Sequence, residues 1–252
     1  MTRAMKRFLS CFPFFYRLFY KVLYRTRPKQ LTWKAQSVGE QPSKVFTEIF
    51  EKNLWGSDES VSGLGSTLEW SAKMRKSLPE LLLRRGARTL LDAPCGDFNW
   101  MRVVQLPEGL SYLGGDIVGS LISDLQGKYG RSGRQFVHLD ILTDPLPDAD
   151  LWLCRDALIH FPSEAVIRVL EKFAKSNTRY LLTTTFDFPT ANPDIAFGDF
   201  RLINLRIPPF SLPKPLEYID DYPSLAAPRR LGLWAREQLL DWNQEIRASA
   251  QR

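Results

Sequence analysis

The sequence has few of the residues that staple a fold covalently or through a metal. Its 252 residues include three cysteines (Cys11, Cys95 and Cys154) and two histidines (His138 and His160). Three cysteines in a chain of this length make no disulfide framework, which points to a reducing compartment. With no Cys-x-x-Cys pair, neither a structural zinc site nor any other metal is expected. No apolar run approaches the ~18 residues that a membrane-spanning helix needs. No small-x-small processing site follows the first apolar stretch, so a cleaved signal peptide is not expected. Internal repeats and low-complexity tracts are also missing. What is present, 44% apolar and 25% charged residues, is the composition of a globular chain able to fill a sizeable core.

Acidic residues are missing from the first 30 positions. That stretch carries eight Lys or Arg, whereas the whole chain has a net charge of only +6, so the remainder is −2. A near-neutral body offers no basic face for a nucleic-acid backbone, and no nucleic-acid partner is expected. The leader places Phe8, Cys11, Phe12, Phe15, Leu18, Phe19, Val22 and Leu23 at helical spacing, with Arg3, Lys6, Arg7, Arg17, Lys21 and Arg25 opposite. A basic helix with a phenylalanine-rich face suits an anionic membrane surface, here through residues 8–25. The alternative is a helix packed on its own domain or on a second subunit. The expected location is cytoplasmic, or peripheral on the inner face of a membrane.

From about residue 86 short apolar runs alternate with helical patterns, the signature of a parallel sheet with crossover helices. The expected strands are 87–93, 111–116, 134–140, 150–156 and 179–186, with "RLINL" and "LGLWA" (231–235) completing the sheet. Helices are expected in "FNWMRVVQ", in "VGSLISDLQGKYG", over 163–176 with Ser163 as the cap, and in "REQLLDWNQEI". Residues 44–85 read as two helices joined by "NLWGSDESVSGLGST", taken as a turn-rich connector. The domains are then a leader (1–30), an N-terminal helical segment with its Gly-rich loop (31–86), and an α/β core (87–252). Residues 187–230 form an irregular insertion on the acceptor side, long enough to be functional.

The first strand does not end in an ordinary polar turn. It ends in Asp92-Ala93-Pro94-Cys95-Gly96-Asp97. Asp116, Asp140 and Asp156 end the second, third and fourth strands in the same way. Ligands of open α/β sheets bind beyond the carboxyl ends of the strands, and an acid closing the second strand can accept two ribose hydroxyls. Carboxylates here repel a pyrophosphate and suit a cationic ligand.

The stretches "LLDAPCGDFNW", "YLGGDIV", "FVHLDIL" and "DLWLCRDALIHF" resemble the successive motifs of the class I S-adenosylmethionine-dependent methyltransferases, over about residues 87–186. The family's Asp-x-Gly-x-Gly-x-Gly is reduced here to one glycine of three, Gly96. The resemblance implies a doubly wound, Rossmann-like sheet of seven strands, in the order 3-2-1-4-5-7-6, behind an N-terminal helical extension. It also implies S-adenosylmethionine as cofactor. The turn Asp92, Ala93, Pro94, Cys95, Gly96 and Asp97 would lie near its methionine part, Asp116 with Ile117 at the ribose, and Asp140 with Ile141 at the adenine. Arg155, just after the fourth strand, is counted with this set.

Methyl transfer to a hydroxyl benefits from a general base. His160 is the candidate, with Asp156 four residues before it on a shared helical face to orient the imidazole. The bland alternatives are a helix-start histidine and a capping aspartate. His138 lies inside a strand and is read as structural. In the 187–230 segment Asn192, Asp194, Arg201 and Asn204 mix with aromatics, which suits a polar acceptor, either a small molecule or a glycan. Asn/Asp-Pro-Pro-Tyr, a motif of amine-methylating enzymes, is absent after the fourth strand. Two rival readings are a dinucleotide binder of the NAD type and a non-catalytic module on the same fold.

Overall fold

The computed structural model describes residues 41–221 and 229–250. The basic leader, and with it the helix expected over 8–25, lies outside the described residues. Among the described residues no helix is long and apolar enough to cross a membrane.

Seven strands form one sheet: β1 (Thr89–Asp92), β2 (Ser111–Asp116), β3 (Arg134–His138), β4 (Leu151–Cys154), β5 (Tyr180–Phe186), β6 (Glu217–Asp220) and β7 (Arg229–Ala235). Their spatial order is β3-β2-β1-β4-β5-β7-β6, as the sequence implies. Strands one to five are parallel, while β7 is antiparallel to both β5 and β6. Among the described residues five α-helices accompany the sheet: α1 (Pro42–Glu51), α2 (Ala72–Arg84), α3 (Gly119–Tyr129), α4 (Ser163–Lys175) and α5 (Arg236–Ala250).

Alternation along the strands sends side chains to two cores, one on each face. Leu91, Trp152, Leu181 and Trp234 stand side by side across four strands and meet Val166, Leu170 and Phe173 of α4. Leu90, Leu153, Leu182 and Leu233 point the other way, toward Leu78, Leu81 and Leu82 of α2 and Leu121 and Leu125 of α3. Both layers are nearly dry, so strands buried on both faces read as continuous apolar runs.

Three local expectations need correction. "FNWMRVVQ" is a tight turn with a single 3-10 turn, Met101–Val103, rather than a helix. Helix α4 is capped from outside the element: the Ser163 N–H donates to the Asp194 carboxylate at 2.7 Å, and the Ser163 side chain caps nothing. "RLINL" is not a strand. It buries Ile203 and Leu205 completely, but β7 already occupies the free edge of β5 from Tyr180 to Phe186, leaving no ladder to join. The sixth strand is instead Glu217–Asp220.

The insertion after β5 also departs from its expected role. None of Asn192, Asp194, Arg201 and Asn204 reaches the cavity described below. Asn192 donates to the carbonyls of Asn204 and Pro208 at 2.9 Å, and its own carbonyl accepts the Asn204 N–H. Asn204 Nδ2 donates to Pro189 O. Arg201 is 3% exposed and donates to Phe161 O, Pro193 O and Ser163 Oγ. A long irregular segment must satisfy its buried backbone carbonyls somehow, and these side chains do so. The segment in turn grips residues 159–161: Ile159 O accepts Arg201 N–H, and His160 O accepts Gly198 N–H.

Replacing Arg201 with alanine should therefore cost stability. Each lost hydrogen bond from a charged donor is worth about 1.5–3 kcal/mol. Urea unfolding of Arg201→Ala is expected to show at least that loss. A variant of undiminished stability would return Arg201 to the acceptor-binding set.

Candidate active site

The carboxyl ends of the strands open into a cavity of about 980 Å³, its mouth included. Asp92, Asp116, Asp140 and Asp156 all line it, together with Pro94, Cys95, Gly96, Ile117, Ile141, Arg155 and His160. Residues spread over 69 positions of sequence thus meet at one sheet edge, because every parallel strand delivers its last residue to the same side.

The turn after β1 is built by main-chain bonds to its neighbours. Ala93 N–H donates to Leu153 O, Cys95 N–H to Gly115 O, and Gly96 N–H to the Asp116 carboxylate at 3.1 Å. Gly96 has φ +54°, and a Cβ there would collide with the Ser62 side chain. The one glycine left in this turn stands where both conformation and space demand it. Two members of the expected set are not in the cavity lining. Ala93 is buried beneath the turn, where its carbonyl accepts the Trp152 indole N–H. The Asp97 carboxylate accepts the N–H groups of Val61 and Asn99, holding a neighbouring loop.

Asp116 accepts N–H bonds from Gly96 and Val118, which fix its plane in the cavity wall. Burial raises its affinity for a proton, and the backbone donors of Val118, Gly96 and Ile117 oppose that rise. Asp92 lies deeper and accepts the Tyr112 hydroxyl at 2.7 Å. Burial pushes its pKa up to about 7, with Tyr112 and then Arg155 pulling the other way. Asp140 accepts the N–H of Leu142 and the hydroxyl of Thr143, shaping the turn that carries Ile141 and Leu142 into the cavity. Burial raises the Cys95 thiol well above its ordinary value, so it is neutral and no nucleophile.

The residues after β4 form a pattern that their spacing did not suggest. Asp156 has φ +54°; its N–H donates to Thr184 Oγ1, whose hydroxyl donates back to its carboxylate at 3.0 Å. Asp156 Oδ2 also meets Arg229 Nη1 at 2.6 Å and Arg155 Nη1 at 3.5 Å. Burial alone would raise this carboxyl, but Arg229 and Arg155 hold it below the usual carboxylate range. Arg155 spends its guanidinium on Asp221, with Nε–Oδ2 at 2.8 Å and Nη2–Oδ1 at 3.2 Å, and on Gly65 O. It lines the cavity as part of an ion-pair cluster, not as a free cation.

Asp156 therefore does not orient His160. The imidazole Nδ1 lies 2.8 Å from Asp199 O. A carbonyl oxygen only accepts, so Nδ1 carries the proton and Nε2 is the ring's acceptor. Trp55 stacks on the imidazole with ring centroids 4.7 Å apart. Burial pushes the His160 pKa below its ordinary value, opposed by the Asp199 carbonyl and the Asp156 charge. His138, by contrast, is exposed and bonds Ile117 O, in keeping with its structural reading.

The sequence reading missed the roof. Phe46, Ile49 and Phe50 of α1, with Trp55, Val61, Ser62 and Ser66 of the loop taken as a connector, line the cavity. That loop is tied across the turn after β1: Asp97 N–H donates to Ser62 Oγ, Asn99 Nδ2 to Glu59 and to Ser66 O, and Arg155 to Gly65 O. A signal was present. Fifteen residues with glycines at 56, 63 and 65 exceed the usual helix–helix connection. Asp221 and Arg229 carried none.

No family model matches the chain, and neither does any curated protein. Solved structures do. It is similar to the magnesium protoporphyrin IX methyltransferase of Synechocystis with bound S-adenosylmethionine, at TM-score 0.54 and 17% identity, over 79% of this chain and 99% of that one. The 1,6-didemethyltoxoflavin-N1-methyltransferase of Burkholderia thailandensis gives TM-score 0.54 and 16% identity, over 79% and 92%. An O-methyltransferase family 2 protein from Planctomyces limnophilus, in complex with apigenin, gives 0.52 and 16%, over 79% and 63%. The strand order, the cavity at the strand ends and these likenesses agree: the chain has the fold of the class I S-adenosylmethionine-dependent methyltransferases.

Proposed function

We propose that the protein is an enzyme that transfers the methyl group of S-adenosylmethionine to a hydroxyl group. The observation that carries this reading is the set of strand-end carboxylates, Asp92, Asp116 and Asp140, around the Pro94–Gly96 turn in one cavity of this fold. The donor set fits that cofactor. Asp116, held by two backbone N–H groups, would accept the paired ribose hydroxyls. Asp92, below the turn, would serve as counter-charge for the cationic methionine end, and Ile141 and Leu142 would flank a flat base. Among the described residues lining the cavity the one strong cation is Arg155, and Asp221 neutralises it. A pyrophosphate would face four carboxylates there, which disfavours the dinucleotide reading.

When bound, the cofactor supplies an electrophilic methyl group on a sulfonium. The chain would hold the acceptor hydroxyl beside that methyl group and keep water out, which is where most of the rate of such a displacement comes from. His160 Nε2 would take the proton that the hydroxyl loses on methylation, the cofactor leaving as a neutral thioether, so that atoms and charge balance. The Asp199 carbonyl and the Trp55 ring hold the imidazole in the tautomer and plane this needs. Asp156 contributes a nearby negative charge that favours the imidazolium formed. This basic side chain at the site supports catalysis over a binding-only module.

Calorimetry with S-adenosylhomocysteine tests the cofactor. The wild type should bind, and Asp116→Ala should lose about 1.5–3 kcal/mol, the range for hydrogen bonds to a charged group. Equal affinity in a folded variant removes Asp116 from the site. For the base, His160→Ala should cut turnover about 10²–10⁴-fold with little change in cofactor affinity. The wild-type rate should fall with acid as the imidazole takes a proton. Because burial lowers its pKa, that fall should come below the ordinary imidazole range. A variant retaining more than a tenth of the rate makes His160 structural.

A further inference from the structure

Part of the cavity wall, around His160, is a cluster of rings, and from it we infer that the acceptor is a planar aromatic compound carrying the hydroxyl. The inference rests on the methyl-transfer reading above. Phe46, Trp55, His160 and Phe161 all line the cavity, and they form one connected aromatic cluster. Phe46 and Phe161 have centroids 5.6 Å apart, Phe46 and Trp55 6.4 Å, and Trp55 and His160 4.7 Å. Behind them, the insertion supplies Phe197, edge-on to Phe161 at 5.3 Å, and Phe200 beside His160 at 5.9 Å. The segment from which polar acceptor contacts were expected therefore brings aromatic backing instead.

The charged groups beside these rings are paired: Asp156 is taken by Thr184, Arg229 and Arg155, and Arg155 by Asp221. A saccharide brings a hydroxyl on almost every carbon, and each one dehydrated without a partner is penalised. A planar ring system dehydrates at little cost, gains from offset or edge contacts with the wall rings, and needs only its reacting hydroxyl satisfied. His160 Nε2 is the acceptor among those rings that can take that hydroxyl. Its plane is already set by Trp55, so the acceptor's orientation is imposed by shape rather than by a hydrogen-bond network.

The experiment uses the full chain saturated with S-adenosylhomocysteine and titrated with 1-naphthol, a hydroxyflavone and methyl glucoside, followed by calorimetry and tryptophan fluorescence. Transfer of labelled methyl from S-adenosylmethionine is then measured for the same three compounds. The aromatic probes are expected to bind at least tenfold more tightly than the glycoside and to accept the label. Phe46→Ser should weaken them at least tenfold and leave the S-adenosylhomocysteine affinity unchanged. Phe46→Leu, which keeps a core-compatible side chain but loses the ring, should move the same way. If the cofactor product binds but neither aromatic probe does, or if the glycoside is bound or methylated in preference, the aromatic acceptor is overturned and the methyl-transfer reading stands. If the wild type does not bind S-adenosylhomocysteine at all, that underlying reading falls, and this inference falls with it.

Discussion

Two guanidinium groups and two carboxylates clustered in and behind the cavity wall hold the site's parts together. Arg155 and Asp156 follow β4, Asp221 follows β6, and Arg229 opens β7. Asp221 is wholly buried and takes Arg155 at 2.8 Å and Arg229 at 3.0 Å, while Arg229 reaches Asp156 at 2.6 Å. The cluster is neutral as a unit. Dehydrating four charges is offset only while every partner stays in place, so removing any one strands another in a dry interior. The loop roof is tied to it as well, through Gly65. A Cβ there would lie 2.7 Å from the Asp156 carboxylate and 3.0 Å from Arg229, so only a glycine backbone can approach.

From this cluster the division of labour in the cavity follows. The parallel strands bring Asp92, Asp116 and Asp140 to one edge, where main-chain donors and burial set their chemistry. The turn after β4 brings His160, which is held by three things from outside its own element: the Asp199 carbonyl, the Trp55 ring and the hydrogen bonds that the insertion makes to residues 159–161. The insertion and the loop between α1 and α2 are irregular in conformation but densely bonded. They act as walls, and their polar side chains bond both backbone within them and neighbouring elements, as Ser62 does Asp97 and Arg201 does Phe161.

Much of this was legible in the sequence. Strands one to five and helices α3 and α4 between them follow from short apolar runs alternating with 3.6-residue patterns, and the acids at the strand ends follow from where those runs stop. Other features resisted. Asn192, Asp194, Arg201 and Asn204 have the composition of a binding surface, yet serve as internal fasteners. Asp156 and His160 have the spacing of an oriented pair, yet each is held by other partners. "RLINL" has the alternation of a strand, yet β7 takes its place in the sheet.

By itself, then, the sequence determined the parallel core, its strand order through the motifs it resembles, and the carboxylates at the strand ends. These rest on local periodicity and on the ends of single elements. The tertiary structure decided which polar side chains remain available. A hydrogen-bonding group has a limited number of partners, and whether they come from the chain or from a ligand depends on neighbours far away in sequence. Asp221 meeting Arg155, and Asp199 meeting His160, are contacts of that kind.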